Sequence, residues 1–504
     1  MNCLFKHIRH LRPVLVFMAL SACIWAQDDS TQGQTPTGAP PAATGGAEEP
    51  SLDNPPLSGL DRPRFELPFG GRSYLLPGLQ LSESANSNPS GSSASSGVTA
   101  VTQGLGSLDL QKYLKRYVVG LDYIGGGSYY KSSFNRADHF TQVHTLSSDQ
   151  RFLWRTGQFA LRDTLDYLPE GSFGFGAVGG AGSFGAALGG GYGAGTGLGG
   201  GVAGGTPTGL YGGGSFGALG FQPRIDNTTI ADVTQELSAR TSVTVGGSFG
   251  ISHFTEKTEN LINSQQSTFQ VGYNHLLGRK DQIGVVYAFQ EFHFPQEGSG
   301  SIEAQVWNVL YAHRITGRLN FVIGGGPQLV EVHNPATTFL LLGIIPITLP
   351  ASTTKTLTGN GSVTLGYTVS PRTNLQLLFQ RLISPGSGFL PGANTDAVRV
   401  SASHQFARRW TETTDGGYSY NSGFRNATST SGLNSQAYQY WYFGASLRRQ
   451  LSAHFDAFVS YQYTEFGAHS CLSSTNHGNG CGQSINQHTG QIGIDWRPHP
   501  IPLD

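Results

Sequence analysis

The segment TSVTVGGSFGIS, residues 241–252, alternates between apolar residues and small polar residues. The large apolar positions are Val243, Val245, Phe249 and Ile251. Because successive side chains of a β-strand point to opposite faces, this segment has one apolar face and one polar face. The apolar face meets a protein core in a soluble sandwich and lipid in a membrane barrel. A single strand does not distinguish these folds, so the rest of the chain has to decide.

The same alternation recurs to the C-terminal end of the chain. Clear examples are residues 264–276, 282–290, 373–381, 454–464 and the segment that ends at Trp496. Upstream, strands are predicted near 73–87, 99–112, 116–128, 138–147 and 150–168. The pattern breaks around Glu291, where a bulge is predicted to shift the register. The total is about 18 strands, with about 16 as the alternative, an even number as expected of a bacterial barrel.

The connections between these strands alternate in length. Short ones are SAR (238–240), GRKD (278–281), TGR (316–318), PRT (371–373), ARR (407–409) and RRQLSA (448–453). Long ones lie near 255–263, 295–300, 332–351, 384–394, 421–436 and 467–484. Outer-membrane barrels have short periplasmic turns and long extracellular loops. The sequence therefore predicts an all-β fold, a single large antiparallel transmembrane β-barrel.

Composition favours a membrane protein. Charged residues make up only 12% of the chain and the formal net charge is -1. A large soluble protein with so few charges would be poorly protected against association, a problem that a protein in a bilayer does not face. The balanced charge argues against a nucleic-acid partner. No run of apolar residues outside the N-terminus is long enough for a transmembrane helix.

The N-terminus predicts export. A basic segment precedes the apolar residues 13–26, which are too few to span a membrane and resemble a signal peptide, 1–26, cleaved after Ala26. The alternative is lipidation at Cys23, because Leu-Ser-Ala-Cys at 20–23 matches a bacterial lipobox.

Residues 27–72 open with a stretch rich in proline, glycine, threonine and alanine, and are predicted to be a disordered periplasmic linker. The barrel is then predicted to occupy residues 73–504.

Two cysteines remain outside the signal peptide, Cys471 and Cys481. In an exported protein this spacing favours one small disulfide-closed loop. A metal site with the nearby His469 and His477 is the alternative, but the spacing is not that of a zinc finger. We therefore expect a disulfide and no metal.

Two segments resemble the ends of porin-like β-barrel families of Gram-negative outer membranes. PGLQLSESANSNP (77–89) is similar to their first strand, and GQIGIDWRPHPIPLD (490–504) is similar to their aromatic-terminated last strand. In these families the last strand helps the barrel assembly machinery to recognise the chain. The resemblance implies that role for Trp496, although eight residues follow it. It further implies an integral outer-membrane protein in contact with lipids, with a transport-type function.

Two loops stand out by composition. Residues 171–220 are rich in glycine and are expected to form the largest extracellular loop, either mobile or folded into the pore mouth. Their formal match to G-x-G-x-x-G lacks a strand–turn–helix context, so no nucleotide or other cofactor is predicted. Residues 337–350 are strongly apolar, and an exposed apolar patch usually marks an interaction surface. We expect them to contact another subunit or the outer rim rather than to plug the lumen.

Several ionisable residues are candidates for lining the lumen: Arg381, Arg399, His454, Asp456 and Asp495. Opposing charges across a lumen set ion selectivity, and here neither sign dominates. Tyr438, Tyr440 and Tyr442 share one side of a strand and would offer a stacking surface for flat solutes if that side is luminal.

No catalytic motif appears, so no enzyme activity is expected. The sequence predicts a porin-like outer-membrane channel for passive diffusion of small solutes. The alternative is a structural or adhesive barrel with a blocked lumen and partner-binding surface loops. The solute and the oligomeric state, including a homo-oligomer, stay open.

Overall fold

The structure, a computed structural model, describes residues 73–87, 98–132, 139–168, 224–255, 263–278, 280–295, 300–341, 345–384, 392–424, 437–468 and 484–503. The signal peptide, the linker, the glycine-rich loop and both cysteines of the predicted disulfide lie outside these residues. Within the described ranges, no helix is long and apolar enough to cross a membrane.

The described residues form β-strands joined by turns and loops. In chain order the strands are β1 (Tyr74–Ser87), β2 (Val98–Tyr113), β3 (Tyr117–Ser132), β4 (His139–Trp154), β5 (Gly157–Leu168), β6 (Arg224–Ser238), β7 (Thr241–Phe254), β8 (Ser264–Leu276), β9 (Asp281–His293), β10 (Ser301–Arg314), β11 (Leu319–Asn334), β12 (Thr337–Leu341), β13 (Ile345–Leu349), β14 (Ser352–Ser370), β15 (Thr373–Ser384), β16 (Ala393–Ala407), β17 (Trp410–Gly423), β18 (Ala437–Gln450), β19 (Phe455–Ala468), β20 (Ser484–Trp496) and β21 (Ile501–Pro502).

Eighteen of these strands close into one antiparallel barrel, which confirms the predicted fold class and strand number. Each long strand pairs with the next along the chain, and the ring closes where β20 pairs with β1, from Leu79 opposite Trp496 to Asn86 opposite Thr489. The short connections all lie at one end of the barrel, which we call the turn end. The long connections lie at the other end, the loop end.

The burial of side chains on β7 shows which face of this strand meets the barrel interior. Thr244 is 1% exposed, whereas its neighbour Val245 is 40% exposed. The hydroxyl side of the strand is therefore the inside and the apolar side is the outside, the reverse of a soluble sandwich. β9 and β19 repeat the pattern, with Gln282, Gln290 and Gln462 buried on the inner side. An outward apolar belt around an inward polar wall is the arrangement of a membrane barrel.

Two predicted turns are misplaced. The chain does not turn near residues 148–149: β4 continues to Trp154 and turns at 155–156. Ser147 and Asp149 suggested a turn because they are polar, but both side chains are buried on the inner side, where polar residues belong in this fold. β18 continues to Gln450, so the predicted turn at 448–453 begins later, at residue 451.

The predicted bulge at Glu291 is also wrong. Glu291 pairs with Ser267 and Glu303 in an unbroken register. The alternation fails there because the inward neighbour, Phe292, is apolar and fully buried. The register shifts lie elsewhere, for example between His404 and Ala407.

Two short strand pairings lie outside the ring of eighteen strands. Strands β12 and β13 form a separate hairpin within the apolar segment 337–350, with Thr337 opposite Leu349. Strand β21 pairs with Tyr74 and Leu75 of β1, so the residues after Trp496 continue along the first strand. The Leu503 amide donates to the Ser73 carbonyl (3.0 Å), which places both described ends of the chain at the turn end.

Part of the barrel interior is apolar. Inward residues of β9–β11 form two buried clusters, one around Leu310 and Val322 and one around Phe292, Ile302 and Val330. The wall bends sharply at β11, because its two neighbours, β10 and β14, come within 8 Å of each other (Cα–Cα). Gly326 permits close packing here, since an added Cβ would overlap the Trp307 carbonyl oxygen.

Candidate functional site: the inner wall

The inner wall is the candidate site, because its side chains are the ones that a solute inside the barrel would meet. Two parts of it differ in charge, and β16 and β17, with the inward Arg399, lie between them. The inward faces of β18–β20 and β1–β6 carry opposite charges, and we call this part the charged arc. Its charged side chains include Asp109, Asp122, Asp149, Arg151, Arg162, Asp232, Arg448, Asp456 and Asp495.

Arg448 is the centre of the charged arc on β18–β20. Its Nη2 lies 2.7 Å from Asp495 Oδ2 and its Nη1 lies 3.3 Å from Asp456 Oδ2. The two carboxylates are directly opposed in the register of β19 and β20. Like charges in that position repel, so the guanidinium between them is what makes the pair tolerable.

The network continues past the end of β20. Arg497 interacts electrostatically with Asp495, Asp456 and, on β3, Asp122. Burial lowers the pKa of Arg497, followed in size by repulsion from Arg448. A guanidinium nevertheless stays protonated in proteins, so Arg497 adds positive charge at the turn end.

Two aspartates on β2 and β3 extend the arc. Asp109 and Asp122 are directly opposed in the register. The Tyr74 hydroxyl, on β1, donates to Asp109 Oδ2 (3.3 Å). The seam at which the barrel closes is therefore lined by carboxylates on both sides.

Two ion pairs occupy β4–β6. Arg151 binds Asp149 through Nε and Nη2, with Nη2 2.7 Å from Oδ2. Arg162 Nη2 lies 2.5 Å from Asp232 Oδ1, and the Asp232 side chain is fully buried. Buried charges of this kind occur in proteins when they are paired.

The second part of the wall is the neutral arc, the inward faces of β7–β11, β14 and β15. Apart from Arg314 at the turn end of β10, the described inward residues of these strands carry no charge. They are either apolar, as in the Leu310 cluster, or amides and hydroxyls. A small pocket at the loop end is lined by Gln290, Asn308, Gln328, Asn360, Ser362 and Gln380 together with apolar neighbours, and Arg381 also borders it.

Three of the five predicted lumen residues lie on the inner side. Asp456 and Asp495 bind Arg448, and Arg399 lies opposite Leu378 of β15 and Gly417 of β17. His454 is in the turn before β19, where its Nδ1 donates to the Arg497 carbonyl (3.1 Å) and its ring packs against His499.

Arg381 differs from the expectation. It shares the outward side of β15 with Phe379, and its Nε lies 3.6 Å from Asp396 Oδ1 on β16. Arg381 directly follows the inward Gln380, so the alternation of the strand directs its side chain outward, although Arg381 also borders the small pocket at the loop end.

The predicted aromatic residues also have distinct positions. Tyr442 is inward but fully buried, with its ring close against Gly417, so it offers no free face for stacking. The side chains of Tyr438 and Tyr440 lie outside what the structure describes. Trp496 is on the outward side of β20, in line with Ile492 and Ile494.

Sequence reasoning missed Arg448 and the Arg162–Asp232 pair. Arg448 was assigned to a turn. Every second residue after Tyr442 lies on the same side of β18, and Arg448 is one of these residues. Arg162 and Asp232 stand 70 residues apart, and only strand pairing brings them together. Among the described residues, no group of three or more His, Cys, Asp or Glu side chains is placed to hold a metal ion.

A closed antiparallel sheet with an outward apolar belt and an inward polar wall defines a membrane-spanning β-barrel protein, because closure satisfies every strand edge without water. No protein-family model and no curated protein sequence matches this chain.

Several solved structures of outer-membrane β-barrel proteins match the fold. The open form of the ferric-catecholate import receptor Fiu from E. coli K12 is 10% identical, with 87% of this chain and 82% of that chain covered and a TM-score of 0.40. Pseudomonas aeruginosa OccK2 (OpdF) in complex with glucuronate is 10% identical, with 85% and 98% covered and a TM-score of 0.38. Acinetobacter baumannii OccAB1 is 10% identical, with 87% and 100% covered and a TM-score of 0.39.

Proposed function

We propose that this chain is an integral outer-membrane channel that admits small solutes by passive diffusion. The observation that carries the proposal is the charged arc inside a closed barrel whose outer surface is apolar. Charged side chains are retained inside a membrane protein where they line a polar path or pair with one another. The proposal includes no catalytic activity and no cofactor.

The charged arc supplies the solute path in this proposal. Water and polar solutes are stabilised next to the Arg448 and Arg151 ion pairs, whereas the apolar clusters of the neutral arc exclude water. Because the arc carries both carboxylates and arginines, the channel should pass both cations and anions, with modest selectivity. Trp496, on the outward side of the closing strand, is the residue we propose for recognition by the assembly machinery.

A second candidate is a barrel with a blocked lumen whose surface loops bind external partners. The observation that favours it is the burial of long inward amides, such as Gln270, Gln282 and Gln290, because glutamines facing open water would be exposed. The two candidates share the fold and the membrane location, and they differ in whether ions pass through.

Conductance in planar lipid bilayers separates them. Purified, folded protein is expected to give discrete current steps, and a variant that lacks residues 171–220 should keep or increase them. Folded protein that never conducts, with or without the loop, would reject the channel. In that case, loss of cell-surface binding on deletion of the same loop would support the adhesive barrel.

A further inference from the structure

The outward belt of the barrel is not apolar everywhere. On β4–β6 its middle carries polar side chains, two of which donate hydrogen bonds to a third. We call them the polar patch, which consists of Ser148, Gln150, Asp163, Asn227 and Thr229.

Asp163 is the most informative member of the patch. It is on the outward side of β5, between Leu161 and Leu165, so it lies at the middle of the membrane belt rather than at its edge. Its Oδ1 accepts hydrogen bonds from Thr229 Oγ1 (2.6 Å) and Asn227 Nδ2 (3.3 Å). Among the described residues, no donor reaches its Oδ2.

Hydrocarbon is a poor surrounding for these groups. A carboxyl oxygen without a hydrogen-bond donor is costly in lipid, and charged residues on the lipid face destabilise barrels most at the bilayer midplane. On the opposite side of the barrel, the outward side chains are apolar instead. The corresponding outward residues are Val398 and Val400 on β16, and Leu375, Leu377 and Phe379 on β15.

We propose that the polar patch is an interface at which a second copy of this chain covers β4–β6. The inference rests on the proposed membrane location, where only another membrane-spanning surface can reach the middle of the belt. A second copy offers the matching chemistry, because the patch holds an acceptor without a partner, Asp163 Oδ2, and donors such as the Ser148 hydroxyl and the Gln150 amide. A symmetric interface can pair the donors of one copy with the acceptor of the other.

The apolar segment 337–350 is a different part of the molecule. Its hairpin, β12–β13, extends from β11 and β14, on another side of the barrel from the polar patch. The proposed interface is therefore separate from the contact with another subunit or the outer rim that is expected of this hairpin, which stays a prediction.

Cysteine cross-linking in lipid vesicles tests the interface without relying on conductance. Leu165→Cys places a thiol beside Asp163, and Val398→Cys places one on the opposite side of the barrel, where a similar fraction of the side chain is exposed. With a short bifunctional maleimide, Leu165→Cys should yield covalent dimers and Val398→Cys should not. Equal cross-linking at both positions, or none at Leu165, would overturn the proposal.

A second variant tests the chemistry of the patch. Asp163→Leu combined with Thr229→Val removes the carboxyl group and its nearest donor. We expect loss of the oligomer on native mass spectrometry from nanodiscs, with the heat-modifiable gel mobility of a folded barrel retained. An oligomer that persists unchanged, or wild-type protein that is monomeric in nanodiscs, would contradict the interface. A non-conducting but oligomeric protein would reject the channel alone.

Discussion

The charged arc and the neutral arc belong to one sheet, yet their inner surfaces differ. Both contain strands that alternate apolar-out and polar-in, such as β7 in the neutral arc and β19 in the charged arc. In the charged arc the inward carboxylates are held by arginines, as Asp495 is by Arg448. In the neutral arc, inward Leu310 and Val322 pack in a cluster like the core of a soluble protein. The inner wall of one barrel can therefore be held together by packing over part of its circumference and by charge pairing over another part.

The difference predicts that the two arcs fail in different ways when mutated. The charged arc depends on charge pairing, so removing one partner leaves the other charge unpaired. The neutral arc depends on packing, so removing volume leaves a cavity.

The largest effect is expected from Arg448→Ala. It leaves Asp456 and Asp495 opposed with Arg497 as the remaining nearby cation, and breaking an ion pair whose Asp495 carboxylate is buried costs up to about 3–5 kcal/mol. Urea titration of the vesicle-embedded barrel, followed by tryptophan fluorescence, measures the change in the free energy of unfolding. Arg449→Ala is the control, because Arg449 lies one residue further on the exposed side, over the Trp410 ring. Its cost should be about 1 kcal/mol or less. Equal losses in the two variants would mean that the inward network does not stabilise the seam.

Leu310→Ala tests the packing of the neutral arc. Leu310 is 1% exposed and should behave like a core residue, for which truncation costs about 2–5 kcal/mol. The neighbouring Val309 is 55% exposed on the outward side, and Val309→Ala should cost roughly 1 kcal/mol. The same urea titration compares them. If Leu310→Ala were no more harmful than Val309→Ala, the neutral arc would be hydrated and the distinction between the arcs would fail.

The smallest effect is a change of ion selectivity. Asp149→Asn leaves Arg151 without its carboxylate and should raise the permeability of anions relative to cations. At water-like screening, one unit charge near the path is worth about 1 kcal/mol, which is roughly a factor of five. Reversal potentials in a salt gradient measure it. Glu291→Gln, which removes a carboxylate from the outward side of β9, should leave the reversal potential unchanged. A shift of equal size in both variants would place the ion path elsewhere.

The sequence predicted the faces of individual strands well, because side-chain direction has period two whatever the partner strand is. The outward series through Val245 and Phe249 follows from alternation alone. Errors arose where polarity was taken as a turn signal: Asp149 and Arg448 are polar because they point inward, and both strands continue through them. Arg381 shows the reverse error, since its charge suggested the lumen while its parity directs it outward.

The division into arcs was not predictable from local patterns. The sequence shows that Val286, Val306 and Val322 are inward on their strands, but their contact depends on the bend of the wall at β11. Similarly, the Arg162–Asp232 pair depends on which strands become neighbours after the long connection of residues 169–223. The apolar cluster and the ion pair both depend on how whole strands pair with one another, which local sequence patterns do not show.

The central claim is that the apolar faces of these strands contact hydrocarbon and the polar faces enclose the interior. Spin labels at successive single-cysteine positions from Val243 to Phe249, in protein reconstituted into lipid vesicles, test it most directly. Collision with oxygen, which concentrates in hydrocarbon, should be strong at Val243, Val245 and Phe249 and weak at Thr244 and Ser248. Uniform collision along β7, or an alternation with the opposite phase, would contradict the account.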